Sequence, residues 1–143
     1  MAEPREDDNQ TLNARVPDSL TQDPLWKLEA YRLAVQATED GWTDITRLCR
    51  DARTVGVSNQ LWRALGAIRA DLAEGYSRSS GRDRARFYEY ALGSAREARE
   101  WYHCARHVIG DKRTSVAMSL LTSIVRLMLR ALPFERRRRI RPP

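Results

Sequence analysis

The chain has 143 residues, of which 25 are basic and 19 acidic, giving a formal net charge of +6. Hydrophobic residues make up 42% and charged residues 31%, which suits one packed domain and excludes wholesale disorder. Seven Gly and six Pro are too few for a turn-rich all-β protein, and no stretch reaches the roughly 20 uninterrupted apolar residues of a membrane span, so no membrane role is expected.

Residues 1–24 carry no periodic apolar pattern. Glu3, Glu6, Asp7, Asp8, Asp18 and Asp23 outnumber Arg5 and Arg15, and Pro4, Pro17 and Pro24 interrupt the run. This reads as a flexible acidic leader without the apolar core of a secretory signal. The first predicted helix spans Leu25 to Arg50, started by Asp23 or Pro24. Its apolar seam is Leu28, Tyr31, Val35, Thr38, Trp42, Ile45 and Cys49, spaced by threes and fours. The second spans Ser58, a good N-cap, to Glu74. Leu61, Leu65, Ile68 and Leu72 form its seam. Gly66, Ala70 and Ala73 form a smooth stripe for close approach, and Gly75 stands as a C-terminal stop.

The third predicted helix begins near Ser80 to Asp83, a pair resembling a capping box, and ends at Gly110. Its seam is Phe87, Ala91, Ser94, Ala98, Trp101, Ala105 and Val108. The fourth covers Lys112 to Leu132 and stops before Pro133, with Val116, Leu120, Ile124, Leu127, Met128 and Ala131 as its apolar set. Residues 133–143 form a basic, Arg-rich tail. No segment has a period of two, so the predicted fold is all-α: an antiparallel up-down-up-down four-helix bundle over residues 25–132. Trp26, Leu33, Leu48, Trp62, Tyr90, Leu121 and Leu129 lie on second faces, which points to self-association. Cys49 and Cys104 are too few for a disulfide framework and read as buried thiols of a cytoplasmic protein.

The most distinctive stretch is Ala70-Asp71-Leu72-Ala73-Glu74-Gly75-Tyr76-Ser77-Arg78, followed by Phe87, Gly93, Ser94 and Glu97. It resembles the four-helix-bundle family of proteins encoded in intervening sequences of bacterial 23S rRNA genes. That family has A-N-x-A-E-G-Y at the end of helix two and F-x-x-x-A-x-G-S-x-x-E on helix three. Arg69 stands where the family usually has Pro, and Asp71 where Asn is usual. The resemblance implies a ring-shaped homo-oligomer, typically a pentamer, with no established enzymatic activity. A more distant resemblance is to the accessory variability proteins of diversity-generating retroelements, basic rings that bind a reverse transcriptase and nucleic acid.

The residues themselves offer little for catalysis. Glu74 sits in the last turn of its helix, where the dipole disfavours an anion, so it needs compensation. The N-terminus of the third helix, or Arg78, Arg96 or Arg99, could supply it. Gly93 and Ser94 in mid-helix read as a close packing point. Glu100, His103 and His107 share one helical flank, half of a di-iron pattern, but no other histidines exist to complete it. No phosphate-loop, dinucleotide or nucleophile-elbow motif occurs, and no cofactor is expected.

What remains is arginine. Only Lys27 and Lys112 among the basic residues are lysines. A G+C-rich genome would give that bias, and so would selection for a planar fork that grips phosphate. Arg78, Arg82, Arg84 and Arg86 cluster at the start of the third helix. Arg63, Arg69, Arg126 and Arg130 lie on the second and fourth, and Arg136, Arg137, Arg138, Arg139 and Arg141 fill the tail. Tyr76, Tyr88 and Tyr102 read as packing residues or as platforms for unpaired bases. The functional expectation is a non-enzymatic ring that binds RNA through these arginines. The alternative is a scaffold acting through protein contacts with a reverse transcriptase or another enzyme encoded nearby.

Overall fold

The computed structural model describes residues 11–138, and every regular element among them is helical. A short helix α1 (Asp18–Thr21) and a 3-10 turn (Pro24–Lys27) lead into α2 (Glu29–Cys49), α3 (Val55–Tyr76) and α4 (Gly81–Cys104). A single turn, α5 (Arg106–Ile109), then precedes α6 (Asp111–Arg137). Helix α3 packs on α2, α4 on α3 and α6 on α4, and α6 also returns to α2.

Local chemistry sets the boundaries. Asp23 accepts the Leu25 N–H at 2.9 Å and starts the 3-10 turn, but Leu28 is extended, so the first long helix begins only at Glu29. Ser58 is not the cap of the second helix. The Thr54 hydroxyl donates to the Leu48 carbonyl at 2.8 Å, and the helix starts a turn earlier at Val55. Ser58 is buried inside it and bonds back to the Val55 carbonyl at 2.6 Å. Ser80 does cap α4, accepting the Asp83 N–H at 3.1 Å.

Two expected helix ends move. The third helix breaks at Ala105, and Gly110, at φ 89°, turns the chain into α6. The fourth does not stop at Leu132: Pro133 lies within it and the helix runs to Arg137. Proline there removes one N–H and crowds the carbonyl four residues back. The turn beyond it is held by the buried Glu135, which lies 3.8 Å from Arg84 and 3.6 Å from Arg138.

The seam of α3 is as predicted, with Leu61, Leu65, Ile68 and Leu72 fully buried. In α2 the predicted Tyr31, Val35, Thr38 and Ile45 are buried, but Ala34, Gly41 and Leu48 complete the seam in place of Trp42 and Cys49. Hydrophobic size favours the latter; packing selects the former. A Cβ at Gly41 would stand 2.5 Å from Leu65 Cδ1, so only glycine lets α3 approach there. Trp42 is left 61% exposed, and Cys49 and Cys104 are exposed instead of buried. In α4 and at the break after it the predicted Ala91, Ala98 and Ala105 are buried, joined by Ala85, Tyr88, Leu92, Ala95 and Tyr102, while Phe87, Ser94, Trp101 and Val108 are only half-buried. In α6 it comprises Ala117, Leu121, Ile124, Val125, Met128 and Leu132.

Several residues expected on outward faces belong to the chain's own core: Leu48 and Leu121 are fully buried, while Trp62, Tyr90 and Leu129 stay exposed. The leader is also corrected in part. Leu12 and Val16 are buried in the core cluster, so residues 11–24 pack on the domain; residues 1–10 lie outside the described region. Helix α6 is, by length and composition alone, apolar enough to cross a membrane, although Arg126 and Arg130 interrupt its apolar run. Its Leu121, Ile124 and Met128 face is buried in the core.

Asp44 is the largest surprise of the interior. It is 1% exposed, and its carboxylate accepts from the Tyr102 hydroxyl at 2.6 Å and from Arg113 Nη2 at 2.7 Å. Arg113 Nε reaches the other oxygen at 3.0 Å, so the pair is bidentate. Burial, and then the hydrogen bond to Asp44 and its charge, push the Tyr102 phenol well above the ordinary tyrosine range. The network joins α2, α4 and α6. Removing Asp44 leaves Arg113 without its carboxylate in a half-buried place, so Asp44→Ala is expected to cost about 3 kcal/mol, and Tyr102→Phe about 1.5 kcal/mol. Urea unfolding checks both; a loss under about 1 kcal/mol for Asp44→Ala would show the network to be idle.

Candidate nucleic-acid interface

Helix order brings distant arginines together. The start of α4 lies against the end of α6 so closely that a Cβ at Gly81 would collide with the carbonyl oxygens of Glu135 and Arg138. Arg136 reaches across to Glu89 at 2.5 Å. The first turns of α4 and the last turns of α6 therefore share one end of the fold. Arg78, Arg82, Arg84, Arg86, Arg130, Arg136, Arg137 and Arg138 gather there.

These arginines divide into three kinds. Arg84 is structural: its side chain is 12% exposed, it donates to the carbonyls of Tyr76 (2.9 Å) and Arg78 (3.3 Å), and it lies over the Tyr76 ring at 5.3 Å. Others are paired at the surface. Arg78 holds Glu74 at 2.8 Å and covers Phe87 at 4.6 Å, which supplies the compensation that the Glu74 carboxylate needs. Arg86 lies 3.9 Å from Asp83, and Arg138 stands near Glu135. Arg82, Arg130 and Arg137 are exposed and have no ion-pair partner among the described residues.

The remaining predicted arginines are elsewhere. Arg63 is exposed in the first half of α3, toward the opposite end. Arg69 donates to Thr38 Oγ1 at 3.1 Å and ties α3 to α2. Arg126 is exposed on α6, and Arg139 and Arg141 lie outside the described residues.

The motif residues are mainly architectural. Gly75 is not a C-terminal stop; it lies inside α3, where a Cβ would meet Phe87 Cβ at 2.8 Å and the Tyr88 ring at 3.0 Å. Glu97 accepts from Trp101 Nε1 at 3.3 Å. Gly93 makes no close packing within the chain, since nothing lies within 4 Å of a Cβ built there; the same is true of Gly66. Ser94 is half-buried beside Gly93. Tyr88 and Tyr102 are buried and cannot offer a face to a base, and burial pushes the Tyr88 phenol up to about 12.

Glu100, His103 and His107 are exposed, and the break at Ala105 puts the two histidines on different helices. Among the described residues no group of three or more His, Cys, Asp or Glu is placed to hold a metal.

Sequence reading missed one aromatic. Phe134, 64% exposed, follows Pro133 on the last turns of α6, past the predicted helix end. With Arg130, Pro133, Arg137 and Arg138 it lines a shallow groove of about 380 Å³. Proline read as a stop hid it; an aromatic among arginines was the available signal.

The sequence model of one family, 23S rRNA-intervening sequence protein, matches residues 26–131. The chain belongs to that family. No curated protein and no solved structure matches it. The family match spans α2 to most of α6 and ends before Phe134 and the last arginines.

Asp71 sits within the match, half-buried one turn before Glu74. Burial first, and then the Glu74 charge, push its carboxyl above the ordinary aspartate range. The folded state thus holds the Asp71 proton more tightly than the unfolded chain, so this group weakens folding as pH rises through the window above its ordinary value. Asp71→Asn is expected to raise the melting temperature at pH 7 and to lose that advantage near pH 3.5; equal gains at both pH values would refute the assignment.

Proposed function

We propose that this family member is a non-enzymatic, cytoplasmic RNA-binding protein whose four long helices form an up-down-up-down bundle and assemble as a ring of identical copies, with a pentamer expected. The observation that carries the reading is the junction of α4 and α6, which sets Arg82, Arg130 and Arg137, without carboxylate partners among the described residues, beside several exchangeable surface pairs. Phosphates are the natural ligand of such a surface, because an Arg fork takes two phosphate oxygens at once. No base code is written in a bare arginine cluster, so recognition rests on backbone charge and shape.

Self-association is supported by what the chain leaves open. Trp42 and Trp62 meet edge to face at 5.3 Å on the outside of α2 and α3, around Gly66, and Tyr90 is 52% exposed near Gly93. A mid-helix glycine costs about 1 kcal/mol of helix stability. Gly66 and Gly93 return nothing for it inside one chain, but would let a second backbone come close. Copies arranged in a ring would repeat the basic end and sum its field.

Two measurements test this. Filter binding of RNA across a salt series should give affinity that falls steeply with salt, and Arg82→Gln with Arg137→Gln should flatten the log–log slope by roughly 1.4. No binding at about 50 mM salt, or binding indifferent to salt, removes the RNA reading and leaves only a scaffold role through protein contacts. Light scattering after size exclusion should find a multiple of 16.5 kDa, reduced by Gly66→Leu; a lone 16.5 kDa species removes the ring.

A further inference from the structure

We infer that the end of α6 is a stacking platform for an unpaired nucleobase, so that the strand taken up there is single-stranded RNA rather than duplex. This deepens the RNA reading above and rests on it. Phe134 is the most exposed large apolar side chain among the described residues, at 64%. It is not on a loop. It stands on a helix immediately after Pro133, whose fixed φ stiffens that turn, and the turn is anchored by the buried Glu135 beside Arg84 and Arg138. The ring therefore has little conformational freedom to lose on binding.

Its surroundings are cationic. Arg130 and Arg137 line the same groove as Phe134 and have no ion-pair partner among the described residues. The Arg138 guanidinium lies 6.0 Å from the ring centroid, at the limit of a cation–π contact, and most of the ring remains open. An aromatic face flanked by guanidinium groups suits one base stacked on the ring with its flanking phosphates on the arginines. Paired bases are stacked on one another and present no free face, so a duplex would meet only the charges. The chemistry that distinguishes the occupant is thus a free π-face attached to a polyanion. An apolar peptide would be opposed by unpaired arginines at the rim, and a folded anionic protein lacks the flat ring.

Of the groove's lining only Arg130 falls within the family match, which ends at residue 131.

The test uses the full chain, a 12-nucleotide unstructured RNA and a duplex of the same length, by fluorescence anisotropy at one fixed salt. The single strand should bind tighter. Phe134→Ala should lower single-strand affinity about tenfold while leaving duplex affinity and the salt slope in place, and Phe134→Trp should restore it. Circular dichroism and light scattering on each variant keep folding and assembly in view. Equal losses for both nucleic acids, or none for either, overturn the stacking platform while the charge-based RNA reading stands. A change in particle mass with unchanged base preference overturns it too, and makes Phe134 a contact between copies. Failure of the wild-type chain to bind any RNA overturns both readings together.

Discussion

The arrangement of this molecule depends on one guanidinium. Arg84, at the start of α4, donates to two carbonyls at the end of α3, lies over Tyr76 and faces the buried carboxylate of Glu135 on α6. A charge that is 12% exposed is costly to bury unless its partners are close. Here they come from the end of α3, the loop after it and the last turns of α6, so holding the charge fixes where the ends of α3, α4 and α6 meet. Gly81 is required by the same junction, because α4 starts against carbonyl oxygens of α6 with no room for a side chain. One arginine is thereby withdrawn from any surface role, and the place of the others follows from it.

That distinction separates the fixed arginines from the available ones. Arg78 with Glu74, Arg86 with Asp83 and Arg136 with Glu89 are pairs in which both partners are about half exposed. Pairs of that kind are worth about 0–1 kcal/mol and are screened by salt. A phosphate can displace such a carboxylate at little cost, whereas it cannot reach Arg84. The basic end is therefore richer in usable charge than its ion pairs suggest, and its neutralisation in the free chain is weak. The half-buried Arg69 and the Asp44-bound Arg113 belong with Arg84: their donors are committed inside the fold.

Much of the fold was legible in the sequence because helical periodicity is a property of local spacing. The positions of the long helices, the α3 seam and the Ser80 cap could be read directly. What could not be read was which of two adjacent rows faces inward. In α2 the row through Trp42 is more hydrophobic, yet past Val35 it turns outward and the row through Gly41 is buried instead, since close approach to Leu65 needs the smaller residue. Asp44 was invisible for a related reason: a carboxylate is placed inside only by knowledge of Tyr102 and Arg113, both far away in sequence. The arginines of the candidate interface were named individually, but their division into anchors and free groups is a tertiary fact. Phe134 was lost to the ordinary rule that proline ends a helix.

Arginine has two roles along α6. Near its start, Arg113 is held by Asp44 in a bidentate pair that also occupies the Tyr102 hydroxyl, so its charge is committed inside the fold. At the other end of the same helix the carboxylates are fewer than the arginines, and the surplus is exposed. A single such surface offers only a modest field, which salt screens within about 10 Å. Repeated side by side with the same orientation, the basic ends would reinforce one another over a span that several phosphates can occupy at once. The proposed assembly and the proposed RNA binding are for that reason linked: the exposed Trp42, Trp62 and Tyr90 would give copies a reason to meet, and the exposed arginines at the end of α6 would give such an assembly something to present.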